Sequence, residues 1–127
     1  MSRKVAWISD IKTEDKPWGS VRSWSSAGFI HGKILTIKKG HRTSLKRYKT
    51  KNESFYLLSG KVAVIYGDEK TTDPKYMQHG ILEPNQILSV PSMCPYRLEA
   101  LEDSVIIESS DYRDMGYEIL EDDYNRQ

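Results

Sequence analysis

An all-β barrel or sandwich is the fold class this sequence predicts, and three observations carry it. Short runs rich in Val, Ile, Tyr and Thr recur along the chain, separated by Gly, Pro, Asn and Asp. Ser59-Gly60 falls between FYLL and KVAVIY, a tight hairpin signal. Only Tyr112 to Tyr124 reads as room for a short helix. In chain order, strands are expected near Ser20–Ser25, Lys33–Lys38 and Ser44–Tyr48, with Gly28 and Gly40 between them. Ser54–Leu58 and Lys61–Tyr66 flank the hairpin, and GDEKTTDPK at Gly67–Lys75 reads as a polar loop. Gln78–Leu82, Ile87–Val90, Tyr96–Ala100 and Val105–Ser109 complete the set, with Pro84, Pro91 and Pro95 marking the breaks. Short strands at this spacing indicate a sandwich or barrel.

The 127 residues suit one domain. With 38% hydrophobic and 29% charged residues, the chain has the make-up of a soluble globular protein. Nineteen basic against eighteen acidic residues argue against a nucleic-acid partner, which would call for a basic excess. Basic residues do gather between Lys38 and Lys51, and acids between Glu118 and Asp123. Both read as solvated surface, unless part of the basic group faces an anionic ligand. The lone cysteine, Cys94, permits no intramolecular disulfide and reads as a packing residue. MSRKVAWISD lacks the apolar run of a signal peptide, and no apolar stretch of about 18 residues spans a membrane. A soluble, cytoplasmic protein is expected. His31, His41 and His79 lie scattered, without metal-ligand spacing.

Residues two apart on a strand share a face. Ser44, Lys46 and Tyr48 therefore point one way, as do Glu53, Phe55 and Leu57, and likewise Tyr96, Leu98 and Ala100. If these rows line one interior, Lys46, Tyr48, Glu53 and Tyr96 converge at one mouth.

Four segments then carry a family likeness. They are KPWGS at Lys16–Ser20, the Gly40…Ser44-Leu45…Glu53…Ser59-Gly60 pattern, LEPNQILSVPSMCPYRLEA at Leu82–Ala100, and LEDDYNR at Leu120–Arg126. In order and spacing the chain resembles the cupin superfamily. The specific resemblance is to the small cupin domain of type II phosphomannose isomerases, often fused to mannose-1-phosphate guanylyltransferases. The resemblance implies a cupin jelly-roll barrel over residues 16–111, preceded by an arm (1–15) and followed by a short irregular or helical tail (112–127) packed on the barrel. It also implies a homodimer.

The family's metal-binding Gln, His, Glu and His fall here on Lys46, Tyr48, Glu53 and Tyr96, and the second motif's usual glycines on Asn85 and Met93. One carboxylate with an ammonium beside it is a poor cation site, because zinc needs at least three good N, O or S ligands and Lys46 would repel it. No metal and no cofactor are therefore expected. Instead, the Lys46 ammonium is expected near the vacated position, paired with Glu53 and flanked by the two phenols. A buried charge left alone there would cost about 3–5 kcal/mol. Ser44, Tyr48, Tyr96, Arg97 and Lys51 are the candidate ligand-binding residues. Arg97 matches an Arg common in the family, and Lys51 stands where the family has Arg. Alternation, however, turns Arg97 away from Tyr96.

Three functions remain open at this point. The first is a metal-free cupin that binds a sugar or sugar phosphate. The second is an aldose–ketose isomerase (mannose 6-phosphate/fructose 6-phosphate) or nucleotide-sugar isomerase or epimerase, with Lys46 and Glu53 as catalytic candidates. The third is a barrel serving only as scaffold.

Overall fold

The computed structural model describes residues 3–111 and 116–123. Within them the chain forms eleven strands. These are β1 (Lys12–Lys16), β2 (Gly19–Ser25), β3 (Ile30–Ile37), β4 (Leu45–Tyr48), β5 (Glu53–Ser59) and β6 (Val62–Tyr66), then β7 (Gln78–Leu82), β8 (Ile87–Val90), β9 (Tyr96–Ala100), β10 (Ser104–Asp111) and β11 (Tyr117–Glu121). Two antiparallel sheets result, ordered β1-β2-β3-β10-β5-β8 and β11-β4-β9-β6-β7. Their inner faces share one apolar core, with Leu35, Ile37, Phe55, Leu57 and Ile106 from the larger sheet and Val62, Val64, Leu98 and Ala100 from the smaller. This is the jelly-roll β-barrel that the sequence predicts. No helix among the described residues is long and apolar enough to cross a membrane.

The expected strands are present, and the differences lie at the sheet edges. β1 lies mostly within the segment read as an N-terminal arm, where KTEDK pairs with β2 from Lys12↔Ser23 to Lys16↔Gly19. The tail expected to be irregular or helical instead forms β11, which pairs with β4 through Tyr117↔Tyr48 and Ile119↔Lys46. Tyr112 and Tyr124, the bounds of the segment read as room for a short helix, lie outside the described residues. The polar loop contains one 3-10 turn, Pro74–Tyr76, whose N-cap Asp73 side chain accepts from Lys75 N at 3.0 Å.

Turn chemistry fixes the register. Gly60 closes the β5–β6 hairpin at φ 97°, and a Cβ there would stand 2.2 Å from Ser104 Oγ. Asn85 and Met93, the positions matched to family glycines, both adopt the left-handed conformation (φ 71° and 70°). The backbone at both positions thus has the left-handed geometry that favours glycine. Asn tolerates it and accepts from the Tyr56 hydroxyl at 2.6 Å. Met93 carries the steric strain while its N–H donates to Tyr48 O at 2.7 Å.

Candidate functional site

Four inner rows run from an apolar end to a polar end, and the site follows from this gradient. β3 presents Ile37, Leu35 and then Lys33. β10 presents Ile106 and then Glu108, β5 presents Leu57, Phe55 and Glu53, and β9 presents Ala100, Leu98 and Tyr96. The register places Glu108 opposite Lys33 on one side and Phe55 on the other. Lys46 lies opposite Tyr96 across β4 and β9. The polar ends open into a cavity of about 290 Å³, whose walls include Lys33, Lys46, Tyr48, Tyr96, Glu108 and Trp18. Glu14 and Lys16 of β1 and Tyr117 of β11 also line it.

Lys46, Tyr48 and Tyr96 thus meet at one cavity. The Lys46–Glu53 ion pair does not form. The cation that pairs with Glu53 is Lys51, whose Nζ stands 3.4 Å from Glu53 Oε2 and 3.4 Å from Glu108 Oε2. All three side chains are buried, at 3%, 6% and 3% exposure. Lys51 Nζ also sits over the Tyr48 ring, 4.2 Å from its centroid. The Tyr96 hydroxyl donates to Glu53 Oε2 at 3.3 Å, and its ring packs on Phe55 with centroids 4.9 Å apart. Glu53 and Lys51 therefore form a buried layer beside the cavity, reached through Tyr96 and Glu108.

Lys46 has a different environment. Its Nζ lies 5.7 Å from the Tyr48 centroid and 5.8 Å from the Tyr117 centroid. It makes no ion pair among the described residues. Burial lowers its pKa from 10.5 to about 8, helped by Lys33 and opposed by Glu53. Burial likewise raises Glu53 to about 7, with Glu108 adding and Lys51 opposing. At Lys51 burial also disfavours the charge, but Glu108 and Glu53 outweigh it and the pKa rises. Burial, reinforced by Glu53 and Tyr48, holds the Tyr96 hydroxyl well above its usual range, so it remains a proton donor.

The other candidates sit apart. Ser44 shares the inner face with Lys46 and lines an adjoining pocket with Trp18 and Tyr117. Arg97, only 2% exposed, points to the opposite side of its sheet, as alternation implies. Its Nε donates to Thr43 O at 2.7 Å and its Nη1 to Glu121 Oε1 at 2.7 Å, while Nη2 lies 3.1 Å from Asp123 Oδ1. It fastens the strand after Gly116 to the barrel and does not face the cavity. Cys94 packs against the core. Glu108, Lys33 and Tyr117 complete the site and were missed as site residues. Glu108 was detectable, because in SVIIESSD it holds the same parity as the buried Ile106.

No group of three His, Cys, Asp or Glu among the described residues could hold a metal ion. The positions a cupin would use for metal present Lys46 and two phenols, and the one carboxylate is tied to Lys51, so the donor set does not fit a divalent cation.

No protein-family model matches the sequence, and no curated protein matches it. Solved structures do match. CapF bound to the inhibitor 3-isopropenyl-tropolone aligns with a TM-score of 0.75 at 17% identity, covering 89% of this chain and 35% of that one. The capsular polysaccharide assembling protein CapF from Staphylococcus aureus gives 0.68 at 16% identity over 80% of this chain and 30% of that one. Bacillus subtilis oxalate decarboxylase at pH 4.6 gives 0.75 at 18% identity over 87% and 30%. These are cupin-fold proteins, and the chain is a cupin-fold domain. It spans about a third of the length of each.

Proposed function

We propose that this cupin-fold domain binds a sugar phosphate or related carbohydrate in the cavity between its sheets, without a metal ion. One observation carries the reading: the polar end of the barrel joins an ammonium, Lys46, to aromatic faces and hydroxyls at Trp18, Tyr48, Tyr96 and Tyr117. Pyranose rings offer axial C–H groups to aromatic faces and equatorial hydroxyls to such donors and acceptors. The resemblance to phosphomannose isomerases supports the sugar class, and CapF, described as assembling capsular polysaccharide, is in keeping with it. Thermal-shift and calorimetric screening with sugars, sugar phosphates and nucleotide sugars tests the reading. A shift with a sugar-based ligand that Lys46→Ala abolishes supports it, and no shift with any of them leaves the barrel as scaffold.

A second reading, an aldose–ketose isomerase, is favoured by Glu53 and Lys46 titrating within about a unit of neutrality, where proton transfer works best. Moving a proton between C1 and C2 would need a carboxylate at the cavity wall, and Glu108 is the buried one of the two that line it, Glu14 lying on the exposed β1. A coupled assay for mannose 6-phosphate conversion tests it: activity that survives Glu108→Gln and Glu53→Gln rules out carboxylate-driven isomerisation. We also propose a homodimer, supported by the exposed Val5, Trp7 and Ile8 of the N-terminal segment. Light scattering across a concentration series tests it, and a monomer at every concentration refutes it.

A further inference from the structure

The charges at the polar end of the barrel do not balance, and the imbalance is localised. Lys16 is matched by Glu14 at 3.0 Å on the rim. Lys51 is matched by Glu53 and Glu108 at 3.4 Å each. Lys33 and Lys46 remain, both lining the cavity and neither in an ion pair among the described residues. Four ammonium groups against three carboxyls leave one positive charge when Glu53 is ionised and two when it is protonated. The two unmatched lysines come from different sheets, β3 and β4, so they approach the cavity from opposite walls.

Two like charges held at one cavity raise the free energy of the empty protein, and water at the mouth screens them only in part. Their mutual effect is visible at Lys46, where Lys33 helps to depress the pKa. A dianion seated between them removes the repulsion and supplies acceptors for ammonium donors that have none. Glu108, on the strand next to Lys33, disfavours an anion at the floor and so places the negative group toward the mouth. The neutral part of a ligand would then lie inward, against Tyr96, Phe55 and Leu98.

We propose that Lys33 and Lys46 form a two-lysine seat for a phosphomonoester dianion, so that the cavity selects phosphorylated over neutral carbohydrates. This rests on the carbohydrate reading above, but the two can fail separately.

The test is calorimetric titration of the whole protein with mannose 6-phosphate, mannose and inorganic phosphate, on wild type, Lys33→Gln and Lys33→Arg. The expected result has three parts: mannose binds at least about tenfold more weakly than its phosphate, Lys33→Gln weakens the phosphate ester about tenfold or more, and Lys33→Arg restores most of the loss. Circular dichroism establishes that each variant is folded. If mannose binds as tightly as its phosphate, or Lys33→Gln weakens both equally, the seat is overturned and the carbohydrate site stands. If only inorganic phosphate binds, and does so through Lys33, the seat stands and the carbohydrate reading falls. If no phosphate species binds at millimolar concentration, the seat is overturned.

Discussion

Lys51→Met keeps an unbranched side chain of similar reach and removes one atom group, the ammonium 3.4 Å from both Glu53 and Glu108. With all three residues at 6% exposure or less, water cannot take its place. Stripping one partner from such a cluster costs about 3–5 kcal/mol. The pH dependence follows from linkage. Without the cation, Glu53, already raised by burial, titrates further above its unfolded pKa of about 4.3. A carboxyl whose folded pKa is raised binds more protons folded than unfolded, so its burden on stability appears above the unfolded pKa and grows until the folded pKa is passed. The loss should therefore be largest at pH 8 and roughly half as large at pH 5, where Glu53 takes up its proton. Urea unfolding followed by circular dichroism at the two pH values measures it. A loss below about 1 kcal/mol at pH 8, or one unchanged between pH 5 and pH 8, refutes the reasoning.

Three further substitutions probe other parts of the account. Arg97→Leu should cost about 2–4 kcal/mol in urea unfolding, because it orphans Thr43 O and frees the strand held through Glu121 and Asp123. Sugar-phosphate affinity should be nearly unchanged, and a selective loss of binding with stability intact would place Arg97 in the site. Met93→Gly should stabilise by about 0.5–1 kcal/mol, since relief of left-handed strain exceeds the added unfolded-state entropy; destabilisation in the same assay contradicts it. Lys46→Met should stabilise the ligand-free protein by about 1–2 kcal/mol at pH 7 while abolishing binding. In wild type, Lys46 binds fewer protons folded than unfolded between about pH 8 and 10.5, so its contribution makes stability rise with pH across that window. A Lys46→Met variant less stable than wild type at pH 7 overturns the reading of Lys46 as an unmatched cation.

The strands that pack the core were legible because alternation of Val, Ile, Leu and Phe against polar residues has one good solution when one face is buried. That alternation also carried Lys46, Tyr48 and Tyr96 to the cavity. Two edge strands, β1 and β11, escaped for a physical reason: β1 is KTEDK, exposed along nearly its whole length, and charged edges are how sheets avoid pairing with neighbours. β11 is flanked by acids and Gly116, and its strand character comes from pairing with β4 rather than from its own pattern. Lys51 was hard to place because it lies in the turn between β4 and β5, where there is no parity to read. Its side chain folds back under Tyr48, and the pairing expected of Lys46 passes to it. Glu108 carried a signal in its parity, but a carboxylate among polar neighbours in a strand reads as surface until the partner cation is known.

Elemental analysis of the purified protein after incubation with zinc and with manganese tests the central idea most directly, with Glu53→Gln as the comparison. The predicted result is well below about 0.1 metal ion per chain for either metal, the same in wild type and variant, because ammonium groups and phenols stand where ligands would be needed. About one ion per chain in wild type, lost in Glu53→Gln, would contradict the account.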